Sequence, residues 1–501
     1  MTRCASYRTR WSALVAASAL MGVAAAAQAQ TTPPDPQTSK SEPQTPAPAQ
    51  APAQAPAAQA PGAQAPAQAT SPTDIPPGAA RQLPAPPSVM VGPTRELKLA
   101  DNTWFRFGAQ IQAWFKVAQD KIPQPDGSTG GYANDFYCRR CRLFVTGSVV
   151  KDVTFNILFE AGNFGKADPL TGVKSYAPPN ILDAYAQIKF HDFFSLSAGS
   201  ILLPLTRNGT QPTTTYLSID NANVDVTPVL QGNSTVLRDL GVMANGFFLN
   251  DHLEYKLGAF QGTRAAAITT TSTTTPPVTS ISTRTAGHNI PRLVAALQYN
   301  LFDTEKGYVN GGHYYGTKKV FGVVASADYQ TLGNADPPKA GTSDKDPYIG
   351  FSAATFVNYP LSGTADPKKG GDELVGLLQF GYYDGGGAPS TAGTAPTNPG
   401  TYPAVLKQTN FLAEGAYYNK DMKFSVFGKF EMRKINSDAY TAAQKAGNNV
   451  MWIATGVKYY IAPANLANIG FQYERIQFPD ALNTQQAFTN NFTVQLQTLL
   501  Y

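Results

Sequence analysis

Bulky apolar and polar residues alternate one by one through most of this chain. Phe105, Phe107, Ala109, Ile111, Ala113, Phe115 and Val117 form one face, and Trp104, Arg106, Gln110, Gln112, Trp114 and Lys116 form the other. The same period of two recurs in Val153-Phe155-Ile157-Phe159, Leu293-Ala295-Leu297-Tyr299 and Phe424-Val426-Gly428-Phe430. A two-residue period with one apolar face marks a strand that meets apolar material on one side only. The pattern predicts strands at 103–118, 136–150, 153–162, 180–190, 193–202, 236–249, 252–262 and 290–301. It continues at 319–330, 347–359, 371–384, 405–419, 422–433, 449–461, 465–477 and 487–500.

Connections alternate between long and tight. Lys151-Asp152, His191-Asp192 and Asn250-Asp251 are tight, whereas 119–135, 163–179, 203–235 and 263–289 are long. The segment 302–318 falls on the tight side although it is longer, and it is assigned as a turn segment. An even strand count with short turns at one end and long loops at the other is the pattern of an outer-membrane barrel. Closure also leaves no unpaired sheet edge in lipid. The fold class expected is therefore all-β, a sixteen-stranded transmembrane antiparallel β-barrel over 93–501. No stretch of eighteen apolar residues follows the N-terminal one, so no helix is expected to span a membrane.

The N-terminus adds a destination. Arg3, Arg8 and Arg10 precede an apolar run that ends at Ala27-Gln28-Ala29, the three parts of a secretory signal peptide, expected over 1–29. Residues 30–92 are rich in Pro, Ala and Gln, and such a segment cannot bury enough apolar surface to order itself. It is expected to be a disordered periplasmic arm.

Charge is low, 15% of residues with a net +5, and gives no reason to expect a nucleic-acid partner. By phase, Arg106, Lys116, Arg140, Arg142, Lys189, Arg292, Lys423, Lys429, Arg433 and Lys458 face the lumen. So do Glu160, Asp183, Asp328, Glu414, Glu431 and Glu474. A basic surplus along an aqueous path lowers the energy of anions there. The alternative is that these charges pair across the lumen and stiffen the wall.

"YCRRCRLFVTGSVV", residues 137–150, mixes a possible metal knuckle with a strand. Continuing the alternation places Leu143, Val145, Cys141 and Arg139 toward lipid, Arg139 near the outer rim, and Arg140 and Arg142 in the lumen. Cysteines three apart in a strand lie about 10 Å from each other on opposite faces, whereas a disulfide needs about 7 Å or less. Cys138 and Cys141 are read as inert thiols. No further metal ligands are spaced around them, no hydrolase motif occurs, and no cofactor or enzymatic activity is expected.

"YCRRCRLFVTGSVVKDVTFNILFEAG" and "ILDAYAQIKFHDFFSLSAGSILLPLTRNGT" resemble the arginine-rich second strand and the next hairpin of the phosphate-selective porin O and P family. "NLFDTEKGYVNGGHYYGTKKVFGVVASADYQ" is similar to a later family segment. The last strand, "NNFTVQLQTLLY", resembles the aromatic-ended insertion signal of such barrels, with Tyr501 one residue out of phase. The resemblance implies a porin in the outer membrane of a Gram-negative type of cell, commonly a homotrimer, with its third external loop, here 203–235, folded into the pore. Pro204 and Arg207 match the family's proline and arginine, and Arg207 joins the expected anion pathway. The loop otherwise carries Asp220 and Asp225, unlike the basic constrictions of phosphate-specific members. The function expected is passive diffusion of small hydrophilic solutes with a modest anion preference. The alternatives are a phosphate or pyrophosphate channel, a surface tether or adhesin using the arm or the Thr-rich loop 263–289, and a barrel hydrolase.

Overall fold

The computed structural model describes residues 96–500, apart from 121–129, 169–170, 177, 227–236, 263–267, 270–281, 284–290, 331–347, 362–369, 385–406, 437–441, 463–464 and 483–485. The expected signal peptide, the arm, most of the Thr-rich loop and Tyr501 lie outside the described residues. Sixteen long strands follow in order: β1 Thr103–Gln119, β2 Tyr132–Val150, β3 Val153–Phe164, β4 Asn180–His191, β5 Phe194–Leu202, β6 Arg238–Phe248, β7 Leu253–Phe260 and β8 Arg292–Asn300. The second half comprises β9 Val320–Gln330, β10 Tyr348–Pro360, β11 Glu373–Asp384, β12 Gln408–Asn419, β13 Phe424–Ile435, β14 Val450–Ala462, β15 Ala467–Gln477 and β16 Phe488–Leu500.

Each strand pairs antiparallel with its sequence neighbours, and β1 closes on β16 from Ala109↔Leu500 to Ala118↔Asn491. The protein is a closed sixteen-stranded antiparallel β-barrel. The alternation explains why: Phe107, Ile111, Leu143, Leu297, Leu378 and Leu496 are exposed on the outer wall, where lipid accepts them. Polar partners such as Gln112, Gln298, Gln472 and Gln495 are buried inside.

Five short strands among the described residues were not foreseen, and one of them joins the barrel sheet. Glu96–Ala100 pairs with Thr103–Arg106, occupying the side of β1 that β16 leaves free beyond Leu500. Arg106 and Glu96 close that hairpin with a 3.0 Å ion pair.

One addition and one correction alter the interior. The segment between β8 and β9 carries no strand, as expected of a turn segment, but Glu305, Asn310, His313 and Tyr314 are all buried, so it folds inward. Cys138 and Cys141 are also disulfide-bonded rather than free, with Cα atoms 6.3 Å apart. The 10 Å expectation assumed an unbroken strand, but the register of β2 on β1 slips here. Arg140 pairs Gln112 while Cys138 pairs the next residue, Ala113, leaving Arg139 unpaired on β1. Such a bulge shortens the strand and changes the phase beyond it. Cys138 and Cys141 therefore both lie opposite outward-facing residues, Ala113 and Ile111.

Candidate functional site: the filled lumen

Loop 3, described from Leu203 to Val226, crosses the barrel interior, and most of its residues are buried. Irregular backbone there must find partners for its N–H and C=O groups, since lipid and water are both excluded. The wall supplies them as side chains. Gln379 accepts from the Asn208 amide at 3.1 Å, Glu414 from Ser218 at 2.8 Å, Gln472 from Ile219 at 3.2 Å and Glu431 from Val224 at 3.0 Å. Lys458 donates to the Tyr216 carbonyl at 2.6 Å, and Asn410 to that of Val224 at 3.0 Å. Leu217 and Ile219 pack with Trp114, Tyr137 and Phe427 in an apolar cluster.

The inward segment between β8 and β9 meets the loop from the opposite end of the barrel. Arg207 grips Glu305 with both nitrogens of its fork, at 2.9 and 2.7 Å, and also donates to the Gly311 carbonyl at 3.1 Å. Its guanidinium lies 3.7 Å from the Phe356 ring centroid. The Asn310 amide donates to the Thr210 carbonyl and the Gly312 amide to the Thr215 hydroxyl. Glu373 of β11 accepts from His313 at 2.7 Å and from the Tyr315 amide at 2.8 Å.

Two sections of wall differ. Lumen-facing positions of β10 to β12 are buried beneath the loop, whereas Thr146, Thr154, Asn156, Tyr185 and Gln187 on β2 to β4 remain half-buried. Accessible space in the lumen thus lies along β2 to β4.

Nearly every base expected in the anion pathway has a counter-charge. Arg106 pairs with Glu96, Arg142 with Glu160, Lys189 with Asp192 at the periplasmic turn, Arg207 with Glu305, Arg292 with Asp328 and Lys429 with Glu431. Arg433 donates to the Asn448 carbonyl. Lys423 sits in the turn before β13 with a left-handed backbone. Pairing across and along the wall, the alternative weighed from the sequence, describes these groups.

The exception surrounds Asp220. Arg140 reaches its carboxylate at 2.6 Å and Arg139 at 3.0 Å, so two cations share one anion. Arg139 is not on the lipid-facing rim, as unbroken alternation predicted; the bulge turns it inward, where it also lies over Trp114. Burial alone would raise the Asp220 carboxyl, but Arg139 and Arg140 outweigh it and hold it well below the usual carboxylate range. Lys116 is half-buried nearby. The Lys166 ammonium, crowded by surrounding protein and by the cations Lys116 and Arg139, lies below its ordinary value.

Sequence reasoning missed Glu305, Glu373 and His313 because each acts across the lumen on a partner at least 58 residues away. It named Asp220, Arg139 and Arg140 separately but put Arg139 on the opposite face, and only the bulge brings the three together.

Residues 108–274 match the family model "Phosphate-selective porin O and P". The family resemblance read from the sequence holds over that segment, which spans β2, the disulfide and loop 3. No curated protein matches the chain by sequence. Among solved structures, OmpF of Salmonella typhi in complex with daunomycin is 12% identical with a TM-score of 0.50, covering 81% of this chain and 100% of that one. DcaP, an outer-membrane channel of Acinetobacter baumannii, is 11% identical with a TM-score of 0.47, covering 81% and 99%. At such identity the likeness to OmpF is one of fold. The family-model match over residues 108–274 and the closed barrel support an outer-membrane channel of Gram-negative type, and point to a channel rather than an enzyme.

Proposed function

We propose that the channel passes small hydrophilic solutes by diffusion with a modest preference for anions, set at its outer vestibule. The observation that carries this reading is the unequal ion cluster at Asp220. Lys116, Arg139, Arg140, Arg142, Lys166 and Lys174 outnumber Asp135, Glu160 and Asp220 in this cluster. A solute entering along the half-buried wall of β2 to β4 passes this surplus before it meets the paired charges deeper in. Assembly as a homotrimer within outer-membrane lipid belongs to the same proposal.

Phosphate selectivity is the weaker reading. It needs bases free to strip water from an oxyanion, and the loop's one arginine in the described part, Arg207, is consumed by Glu305.

The test is a planar-bilayer recording in a KCl gradient. Lys116→Glu with Lys166→Glu should move the reversal potential toward cations while the barrel still inserts. Each charge contributes on the order of 1 kcal/mol in wet surroundings. An unchanged potential would remove the vestibule from the account of selectivity. Block of the chloride current by dilute phosphate would favour the phosphate reading instead.

A further inference from the structure

We propose that the Cys138–Cys141 disulfide is the positioning element of the pore loop: it closes the Arg139 bulge and so aims two consecutive guanidiniums at Asp220. This rests on the channel reading and adds a control point to it.

In an extended strand, neighbouring side chains point to opposite faces. Arg139 and Arg140 nevertheless both bind Asp220, through Arg139 Nε at 3.0 Å and Arg140 Nη2 at 2.6 Å. Only the extra residue at the bulge permits this, and the disulfide spans that residue. It holds Cα atoms that an extended strand would place about 10 Å apart at 6.3 Å instead. Without the bond, Tyr132–Tyr137 is free to slide one residue along β1, which would turn Arg139 to the other face. Asp220 would keep one of its two cations, and the Tyr137 ring would leave its cluster with Leu217 and Ile219. The anchor of loop 3 on the β2 wall is therefore covalently braced from outside the barrel.

Both cysteines are half-buried on the outward face, within reach of a small reductant. A dithiol such as dithiothreitol would give two electrons and two protons to the two Sγ atoms and close its own ring disulfide. The S–S bond breaks and two thiols form. An exported chain keeps such a bond oxidised by default.

The experiment uses the full chain purified without reductant and inserted in bilayers, with loop cleavage by proteinase K followed in parallel. Reduction should raise cleavage within 203–235 roughly tenfold, as expected when one charge-assisted hydrogen bond is lost. It should also at least double the frequency of conductance transitions. Cys138→Ala with Cys141→Ala, and separately Arg139→Gln, should show both changes from the start. Asp220→Asn should show them too, and reduction should then add nothing, which a purely structural bond would not reproduce. Iodoacetamide labelling of both cysteines in the folded, unreduced protein would overturn the proposal. So would unchanged cleavage after reduction verified by mass. A wild-type chain that never conducts would instead sink the channel reading, while the cleavage arm still decides this one. If the cysteine variant fails to insert, reduction of the inserted wild type decides between the two outcomes.

Discussion

Arg207 of loop 3 and Glu305 of the turn between β8 and β9 meet inside the barrel as a two-pronged ion pair, with side chains 1% and 2% exposed. One arrives from the long-loop end of the barrel and the other from the short-turn end. Gln298 of β8 donates to the same carboxylate at 2.9 Å, and the Tyr314 hydroxyl also donates to it. Glu305→Ala leaves the guanidinium buried without its counter-ion, a change that costs about 3–5 kcal/mol. The expected result is a barrel that still forms but whose loop 3 and inward turn are cleaved by protease. Replacing both partners, Arg207→Met with Glu305→Leu, should cost less than the single change. Equal losses would show that the pair does not couple the two segments.

Closure makes a second expectation. The β1–β16 seam pairs ten successive residues on each strand, so the sheet offers no edge from which to unzip. Unboiled protein should migrate differently from heated protein on SDS gels. Gly108 lies at this seam, where an added Cβ would fall 2.0 Å from the Phe144 ring and 2.8 Å from the Leu500 carbonyl. Gly108→Val should lower the temperature of that shift, and an unchanged shift would show that the seam tolerates the bulk.

The sixteen strands were legible because a lipid-facing wall enforces a period of two for its whole length. All sixteen were placed, with their ends shifted by only a few residues. The lumen was legible only in part. Phase says which side chains point inward, as for Arg140 and Arg292, but not which carboxylate each will meet. Arg207 and Glu305 are 98 positions apart, and no local pattern joins them. The disulfide was hidden for a sharper reason: one unpaired residue, Arg139, reverses the parity on which the face assignment depended. The 302–318 segment shows the converse. Its length on the short-turn side was a visible anomaly, and inward folding accounts for it.

Asp225 gives a pH dependence. Burial pushes its carboxyl up to about 7, Gln379 opposes this with a hydrogen bond, and Glu431 adds to it. Lys429 and Tyr383 are the other ionisable groups that interact with it. The docked loop therefore holds this proton more tightly than a freed loop would. Below about pH 4 both forms carry it, and pH makes no difference. Between there and about 7, docking weakens as pH rises, by at most about 1.4 kcal/mol per unit, and above that the loss is complete. Conductance transitions should be rarer at pH 5 than at pH 8. Asp225→Asn keeps an oxygen for Gln379 and removes the charge, so it should abolish the difference; persistence of the pH effect would assign it to another group.

The exit of the inward turn depends on glycine. Gly316 has φ +71, and a Cβ there would stand 2.5 Å from backbone atoms of Gly371, where the strand connection before β11 comes closest. Gly172 has nearly the same φ, +70, but nothing lies within 4 Å of its would-be Cβ. The two sites separate backbone strain from steric contact. Alanine at Gly172 should cost only the left-handed penalty, roughly 1 kcal/mol. At Gly316 it adds a clash that side-chain rotation cannot relieve, because both partners are main chain. Gly316→Ala should therefore displace the turn, separate Glu305 from Arg207 and reproduce the protease sensitivity of Glu305→Ala, while Gly172→Ala should not. Matching behaviour of the two glycine variants would mean that the close approach to Gly371 does not hold the turn inside the barrel.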